Sequence, residues 1–397
     1  MPEFLPLSPD SRVASAPSGG SAPALRSRRK GRRGWAVLAK RVLASNLGRL
    51  TLPYRLNFII TKECHSRCVN CRIWETAPQG ELNLDEIARL AKTSSYLSWI
   101  NFSGGEPSDR PDFPEAVGHF VRSSPDLQLL HFPTNGLRPE HIAATAEKIL
   151  SFDPPSLVVT VSVDGPPKEH DRLRGIPGNF ERAVETYQNL QRVPGVEAYF
   201  GMTLFATNHS KIRETIEELR GRIPGFDLSQ FHVNLAHRSG HYYSNTIISR
   251  TVIPEMRQSL EDYRALRRAE HQRRSWKSRL RSYPIEWIED RFHSLAQHYL
   301  TTHQTPLDCA ALMASCFLDE KGVLYPCSIW GEPVGSIRDV DYDLKKLLAS
   351  DRAHELRQKI RAKQCAHCWT PCEAYQTIAA QVLHSHSPTR IESLPAR

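Results

Sequence analysis

No apolar stretch in this 397-residue chain reaches the roughly 18–20 residues that a membrane-spanning helix needs. A Ser–His–Asp set, a glycine-rich phosphate loop and a paired-carboxylate pattern are all missing. Triad hydrolysis, P-loop nucleotide chemistry and two-carboxylate glycoside hydrolysis therefore leave the field. Acidic residues are nearly absent from the first 50 positions, which hold two Asp/Glu against ten Lys/Arg, a net of +8. The whole chain is +9, so residues 51–397 carry only +1. The basic excess belongs to the N-terminus, and a near-neutral body sets up no field for nucleic acid, which is not expected as a partner. Cysteine is scarce as well: nine residues, confined to two groups.

Residues 1–25 are rich in Pro, Ser, Ala and Gly and read as disordered. The basic run Arg26–Arg33 follows, and then a short helix is expected from Trp35 to Leu50 with Trp35, Leu38, Val42 and Leu43 on roughly one side. A twin-arginine export signal fails as a reading of Arg28-Arg29, because Lys40 and Arg41 interrupt the apolar stretch and no small-residue cleavage site follows. Two readings remain for residues 1–50: a solvated basic tail, or an attachment to an anionic membrane surface. The segment is too short and polar for a peptide-recognition domain. Short cysteine spacings suit a shared metal better than long-range bridges, which points to a reducing, cytoplasmic setting, peripheral to the membrane if the tail binds lipid.

From residue 51 to about 250, apolar runs alternate with helical patterns. Strands are expected at Arg55–Ile60, Trp99–Phe102, Leu127–Phe132, Ser156–Val163, Val196–Phe205 and Phe231–Leu235. Helices are expected between them at Leu84–Ser95, Phe113–Ser123, Pro139–Phe152, Asn179–Gln191 and Ser210–Arg220. This is an α/β pattern, a parallel sheet or partial barrel, whose chemistry gathers in loops at the carboxyl ends of the strands. Residues 251–305 read as a charged helical connector whose arginines form a solvated face or, alternatively, a groove for an acidic substrate flanked by Trp276 and Tyr283. Residues 306–380 form a cysteine-rich module, and 381–397 a tail.

The first cysteine group, Cys64-x3-Cys68-x2-Cys71, lies in the loop after the first strand. Three thiolates can hold three irons of a [4Fe–4S] cube and leave the fourth open to a ligand. The spacing alone is shared with zinc sites. Further segments follow in order: Phe102-Ser103-Gly104-Gly105-Glu106-Pro107 closes the second strand, Thr134-Asn135-Gly136 the third, Val161-Ser162-Val163-Asp164-Gly165 the fourth, and Arg172-Leu173-Arg174-Gly175 comes next.

Together these segments, from about Tyr54 to Asn234, resemble the radical S-adenosylmethionine (SAM) superfamily. The resemblance implies a partial (β/α)6 TIM-like barrel. It also implies a SAM-binding [4Fe–4S] cluster on Cys64, Cys68 and Cys71, with SAM against Ser103, Gly104, Gly105, Glu106, Asn135, Ser162, Asp164 and Arg174. Glycines at 104 and 105 would let the backbone approach the ligand, Glu106 would accept from its ammonium group, and Ser162 and Asn135 would meet ribose hydroxyls. Arg174 would pair with its carboxylate, with Arg172 as competitor. Where the family has an aromatic residue before the third cysteine this chain has Asn70, and Trp74 stands near enough to substitute.

The second group holds Cys309, Cys316, Cys327, Cys365, Cys368 and Cys372. Cys316 to Cys327 reads as a hairpin turning at Glu320-Lys321-Gly322. Together with the later C-x2-C it resembles the SPASM/twitch extension that carries auxiliary [4Fe–4S] clusters. The six thiols fit one complete cluster with two to spare, or two three-ligand clusters. A set of four would be Cys309, Cys316, Cys327 and Cys372, or else Cys316, Cys327, Cys365 and Cys368. His131 is expected in the core, and His237 and His241 near the barrel mouth.

The expected activity is reductive cleavage of SAM to a 5′-deoxyadenosyl radical that abstracts a substrate hydrogen. The auxiliary cluster would relay electrons or bind substrate. A ferredoxin- or flavodoxin-like reductant and a peptide, small-molecule or lipid substrate are the implied partners. The alternative is a non-catalytic cysteine-rich zinc or electron-carrier protein with a basic partner-binding tail.

Overall fold

The structure, a computed structural model, describes residues 23–245, 253–274 and 276–384; the side chains of residues 23–34, 277–284 and 384 are outside that description. Of residues 1–25, expected to be disordered, 1–22 fall outside the described residues, as does most of the C-terminal tail, while 23–25 begin a helix.

Among the described residues nine strands are present in chain order: β1 Arg55–Thr61, β2 Trp99–Gly104, β3 Leu129–Thr134, β4 Leu157–Ser162, β5 Val196–Leu204, β6 Phe231–Leu235, β7 Ser315–Leu318, β8 Val323–Tyr325 and β9 Gly335–Ser336. The helices are α1 Pro23–Asn46, α2 Leu84–Thr93, α3 Phe113–Ser123, α4 Pro139–Leu150, α5 Pro167–Arg174, α6 Asn179–Arg192, α7 Ile212–Arg222, α8 Ile253–Arg273, α9 Trp276–Thr302, α10 Leu344–Leu348, α11 Asp351–Arg361 and α12 Pro371–Ala379. The six expected strands and the five helices between them are all present, with ends shifted by two residues or fewer. α5, with only His170 and Leu173 buried, has too little apolar periodicity to be seen in the sequence.

The strand order is β6-β5-β4-β3-β2-β1-β7-β8-β9, with β1 to β6 parallel throughout. This is the expected partial barrel. Along β3, β4 and β6 burial alternates residue by residue. The outward set, including Phe132, Val159, Val161 and Phe231, enters the large apolar core under the helices. The inward set of His131, Thr160, Ser162, His232 and Asn234 lines a polar lumen and keeps part of its surface accessible. On the opposite wall Arg55, Asn57, Asn101 and Ser103 face inward and are buried.

The cysteine-rich module is not a detached unit. β7 pairs in parallel with β1, setting Leu56 beside Cys316, and β8 returns antiparallel as the expected hairpin. The gap between β6 and β1 is filled by α9 and α12. His293 of α9 donates to the Val233 carbonyl at 2.8 Å, Glu373 of α12 accepts from Asn57 at 3.4 Å, and the two helices meet through Phe292 stacked on Trp369.

Two expectations need correction. Three of the connector's arginines are not on a solvated face: Arg264 of α8 pairs with Asp290 of α9, Arg267 with buried Glu289, and Arg274 with Glu286 and Asp227. Arg268, paired with Asp290, and Arg273 are exposed, and the side chains of Lys277, Arg279 and Arg281 lie outside the described residues. Alternating charges on two antiparallel helices neutralise each other at a shared seam. Trp276 is exposed, and the Tyr283 side chain lies outside the described residues. The N-terminal helix is also longer than expected and only partly free. Leu38 and Val42 pack on Tyr54, Ala310 and Ala314. Asn46 ties the helix end to α12 by donating to the Ala379 carbonyl at 2.7 Å.

Candidate functional site

The cysteine triplet lies at the carboxyl end of β1, clamped by its two neighbours. On one side the end of β2 presses onto the start of the loop: Gly105 N–H donates to Thr61 O at 2.9 Å and Glu106 N–H to Glu63 O at 2.7 Å. A Cβ at Gly104, whose φ is +142°, would lie 2.0 Å from Thr61 O, and one at Gly105 would lie 2.0 Å from Glu63 O. The glycines therefore serve first to let this loop approach the strand end. On the other side Arg67 and Val69 N–H groups donate to the Arg174 and Leu173 carbonyls at the end of α5, each at 3.0 Å.

Cys64, Cys68 and Cys71 are near enough for each to influence its neighbours' ionisation. Burial pushes Cys64 up to about 12 and Cys71 to about 11, and raises Cys68. Two donors are aimed at the sulfurs: Asn135 Nδ2 at Cys64 (4.0 Å) and Arg174 Nη1 at Cys68 (3.9 Å). The three cysteines are only partly exposed, and an amide and a guanidinium would meet two of their sulfurs as thiolates, an environment that suits bound metal.

The remaining expected residues fall around this loop. Arg174 is buried and ion-paired with Asp164 at 2.7 Å, and Asp164 also accepts from Thr203 N–H at 2.9 Å. Arg172, the competitor, turns outward to Glu169 at 2.6 Å. Glu106 is fully enclosed, and burial lifts its carboxyl to about 7. It accepts from Asn135 N–H at 2.6 Å and from the Ser108 hydroxyl at 2.7 Å. Asn135 thus looks toward Cys64 and Glu106. Ser162 faces the lumen at the end of β4. Ser103 shares a 2.6 Å hydrogen bond with the Tyr242 hydroxyl, a partner the sequence reading missed because it lies 139 residues away. Trp74 donates weakly to the Cys68 carbonyl at 3.5 Å and carries Arg67 over its ring.

Of the six C-terminal cysteines the fold gathers four. Cys309, Cys327, Cys365 and Cys368 line one small cavity, with Thr305 and Trp330 among its walls. The Cys368 thiol donates to Cys327, which also accepts from Trp330 N–H at 3.3 Å, so Cys327 is held low and Cys368 high. Neither set of four expected from sequence is this one. Cys316 is the misfit: on β7 it faces the apolar core, and its thiol donates to the Arg55 carbonyl at 3.9 Å. Strand alternation puts Ser315 and Phe317 on the lumen side and Cys316 on the other, a reversal no spacing rule reveals. Cys372 opens α12 and lies outside the cavity, near Arg55 and Glu373 and within reach of Tyr242 and Tyr243. Among the described residues no three His, Cys, Asp or Glu side chains are close enough to share a single ion.

Two histidines hold the module in place. His237 is buried and accepts from Trp369 N–H at 2.9 Å. His241 stacks near Tyr325 and contacts the Cys327 carbonyl at 3.2 Å. His131 lies on the lumen face, between Asn101 and Thr160. It is not packed in apolar core, and burial depresses it to about 3, so it is neutral.

Residues 58–219 match the model of the Radical SAM superfamily. The chain is 33% identical over 178 residues to an AdoMet-dependent heme synthase of Methanosarcina barkeri, covering 42% of this chain and 46% of that protein. It is 31% identical over 150 residues to the mycofactocin maturase MftC of Mycobacterium tuberculosis, covering 36% and 35%. The chain thus spans less than half the length of these curated relatives. Its fold is similar to that of Streptococcus suis SuiB bound to S-adenosylmethionine, with a TM-score of 0.54 and 12% identity over 86% of this chain and 74% of SuiB.

Proposed function

From the premise that the chain belongs to the radical SAM superfamily through residues 58–219, we propose that it cleaves SAM reductively and abstracts a hydrogen atom from a substrate held in the barrel lumen. The observation that carries this reading is the clamped cysteine loop with Asn135 and Arg174 aimed at two of its three sulfurs. Cys64, Cys68 and Cys71 would hold the SAM-binding cluster. Cys309, Cys327, Cys365 and Cys368 would hold one complete auxiliary cluster, with Cys316 and Cys372 spare. Bound together, the cluster and SAM supply the electron transfer and the 5′-deoxyadenosyl radical.

The chain's own residues bind and orient. Glu106 offers its remaining acceptor positions to the ammonium group of SAM, and Asp164 orders Arg174 beside Cys68. Arg174 carries its charge toward the carboxylate, while Ser162 and Ser103 present hydroxyls at the strand ends. The lumen wall of Thr160, Tyr199, His232 and Asn234 receives the substrate out of bulk water. SuiB has also been solved bound to its precursor peptide SuiA. That supports a peptide as one substrate class here, beside a small molecule. A ferredoxin- or flavodoxin-like protein would supply the electron. The zinc or electron-carrier alternative has no observation in its favour.

The test is anaerobic reconstitution of the full chain with iron and sulfide, followed by dithionite and SAM. 5′-Deoxyadenosine should form, with about eight irons bound per chain, four per cube. A fully loaded protein that releases none overturns the proposal.

A further inference from the structure

One arginine in the lumen is left without a partner. Arg55, the first residue of β1, is 4% exposed. Its guanidinium lies over the ring of Trp99, 3.9 Å from the centroid. Its Nε and Nη1 donate to nothing among the described residues. Elsewhere around the barrel, buried arginines are matched: Arg174 with Asp164, Arg267 with Glu289, Arg110 with Asp112. The nearest acid to Arg55 is otherwise engaged, because the Glu373 carboxylate accepts from Asn57 and from Ser315. Cys372, Tyr54 and Tyr375 complete the surroundings, and the charge also bears on His131 across the lumen. Leaving a cation dry with idle donors is costly, and buried donors are almost always satisfied. Retaining one where the substrate would lie is the pattern expected when a ligand completes the set.

We propose that Arg55 is an anion-binding residue for the substrate: its guanidinium, idle at Nε and Nη1 and with no hydrogen bond at Nη2 among the described residues, is backed by Trp99 and receives a carboxylate group on its Nη1/Nη2 fork deep in the barrel lumen. The proposal rests on the lumen being the substrate site, and it names the substrate class as a carboxylate-bearing molecule. A planar oxyanion suits the fork of the guanidinium, which can give two parallel hydrogen bonds. β1 sets the depth. Thr61, at the cysteine-loop end, is six residues beyond Arg55, about 20 Å along the strand. Cys372 bridges the interval, since it neighbours Arg55 at one level and Tyr242, the partner of Ser103, at the other. The carboxylate is therefore remote from the carbon that reacts, serving as an anchor and not as the reacting group.

The experiment needs no turnover, so it is independent of whether SAM is cleaved. The thermal midpoint of the anaerobically reconstituted full chain is measured in sodium acetate, sodium phosphate and sodium chloride at equal ionic strength. Acetate should raise the midpoint above the chloride value by about 2 °C or more at tenfold excess over its dissociation constant. Arg55→Met should abolish that shift without lowering the midpoint in chloride, because it removes an unpaired charge and keeps the stack on Trp99. Arg55→Lys, which keeps the charge but loses the fork, should show a several-fold weaker acetate response and stands in if the methionine variant does not fold. An acetate response equal to chloride, a response confined to phosphate, or one that persists undiminished in both variants overturns the assignment.

Discussion

Gly175 sits at φ +68° directly against Arg67, whose carbonyl oxygen would be 2.4 Å from any Cβ placed there. The residue ends α5 in the left-handed conformation, and its lack of a side chain lets the cysteine loop lie against the helix end. Gly175→Ala combines a backbone penalty with a clash against main chain that cannot swing aside. It should cost about 2 kcal/mol of stability by urea denaturation. It should also lower iron by about four atoms per chain, because the loop that presents Cys68 is displaced, while the auxiliary site keeps its metal. Unchanged iron in a destabilised variant would limit the role of Gly175 to folding.

The C-terminal cysteines divide by the same kind of measurement. Cys327→Ala and Cys365→Ala should each remove about four irons, because each takes one wall sulfur from the cavity. Cys316→Ala, on the core side of β7, and Cys372→Ser, at the head of α12, should leave iron at the wild-type value. Cys316→Ala should still lose about 1 kcal/mol for the vacated core space. Iron loss in the Cys316 variant would restore one of the ligand sets suggested by spacing.

Much of this site was legible because local chemistry sets it. The triplet, the Gly-Gly-Glu turn and the Asn135, Ser162 and Arg174 positions each follow a strand whose apolar pattern is plain, and the structure brings them to one end of the barrel. What was not legible is what distant segments decide. Cys316 and Cys327 flank one hairpin, yet only Cys327 reaches the cavity, because pairing of β7 with β1 fixes which face each residue takes. Cys309, 18 residues before Cys327, joins it instead. Tyr242 meets Ser103, and Glu373 meets Asn57 and Ser315, across separations without sequence periodicity. Arg264, Arg267 and Arg274 were misread for a related reason: a charge run looks the same facing water or facing a second charged helix.

His293 predicts a pH dependence of stability. It is fully enclosed, and burial, helped by the charge on Arg267, holds its imidazole down to about 4, outweighing the favourable Glu289 and Val233 carbonyl contacts. In the unfolded chain it titrates near 6.5. Between these values the unfolded chain binds the proton and the native chain does not. The stabilisation is therefore complete above about pH 6.5 and is lost as pH falls toward 4, amounting to on the order of 3 kcal/mol. His293→Gln keeps an N–H donor for the Val233 carbonyl but cannot titrate. Urea midpoints for this variant should fall less steeply than wild type between pH 6.5 and 4.5. Parallel curves would show that the acid sensitivity lies elsewhere.

The N-terminal helix separates the two readings of the basic tail. Its inner residues Leu38 and Val42 are spent on packing against Tyr54, Ala310 and Ala314, so they are not free for lipid. Trp35, Leu43 and Leu47 remain about half exposed, and no helix among the described residues is long and apolar enough to cross a membrane. A membrane contact through this segment would be driven by charge, with six Lys/Arg between positions 26 and 33 as its source. Deleting residues 1–33 spares the docked half of the helix, so stability and SAM cleavage should be unchanged. Binding to vesicles containing phosphatidylserine should weaken, by about 1 kcal/mol for each basic residue that reaches the surface. Raising salt from 0.1 to 0.5 M should weaken the full chain in the same direction, and Trp35→Ala should add a smaller loss. Vesicle binding that survives the deletion, or that ignores salt, would leave the run as a solvated tail.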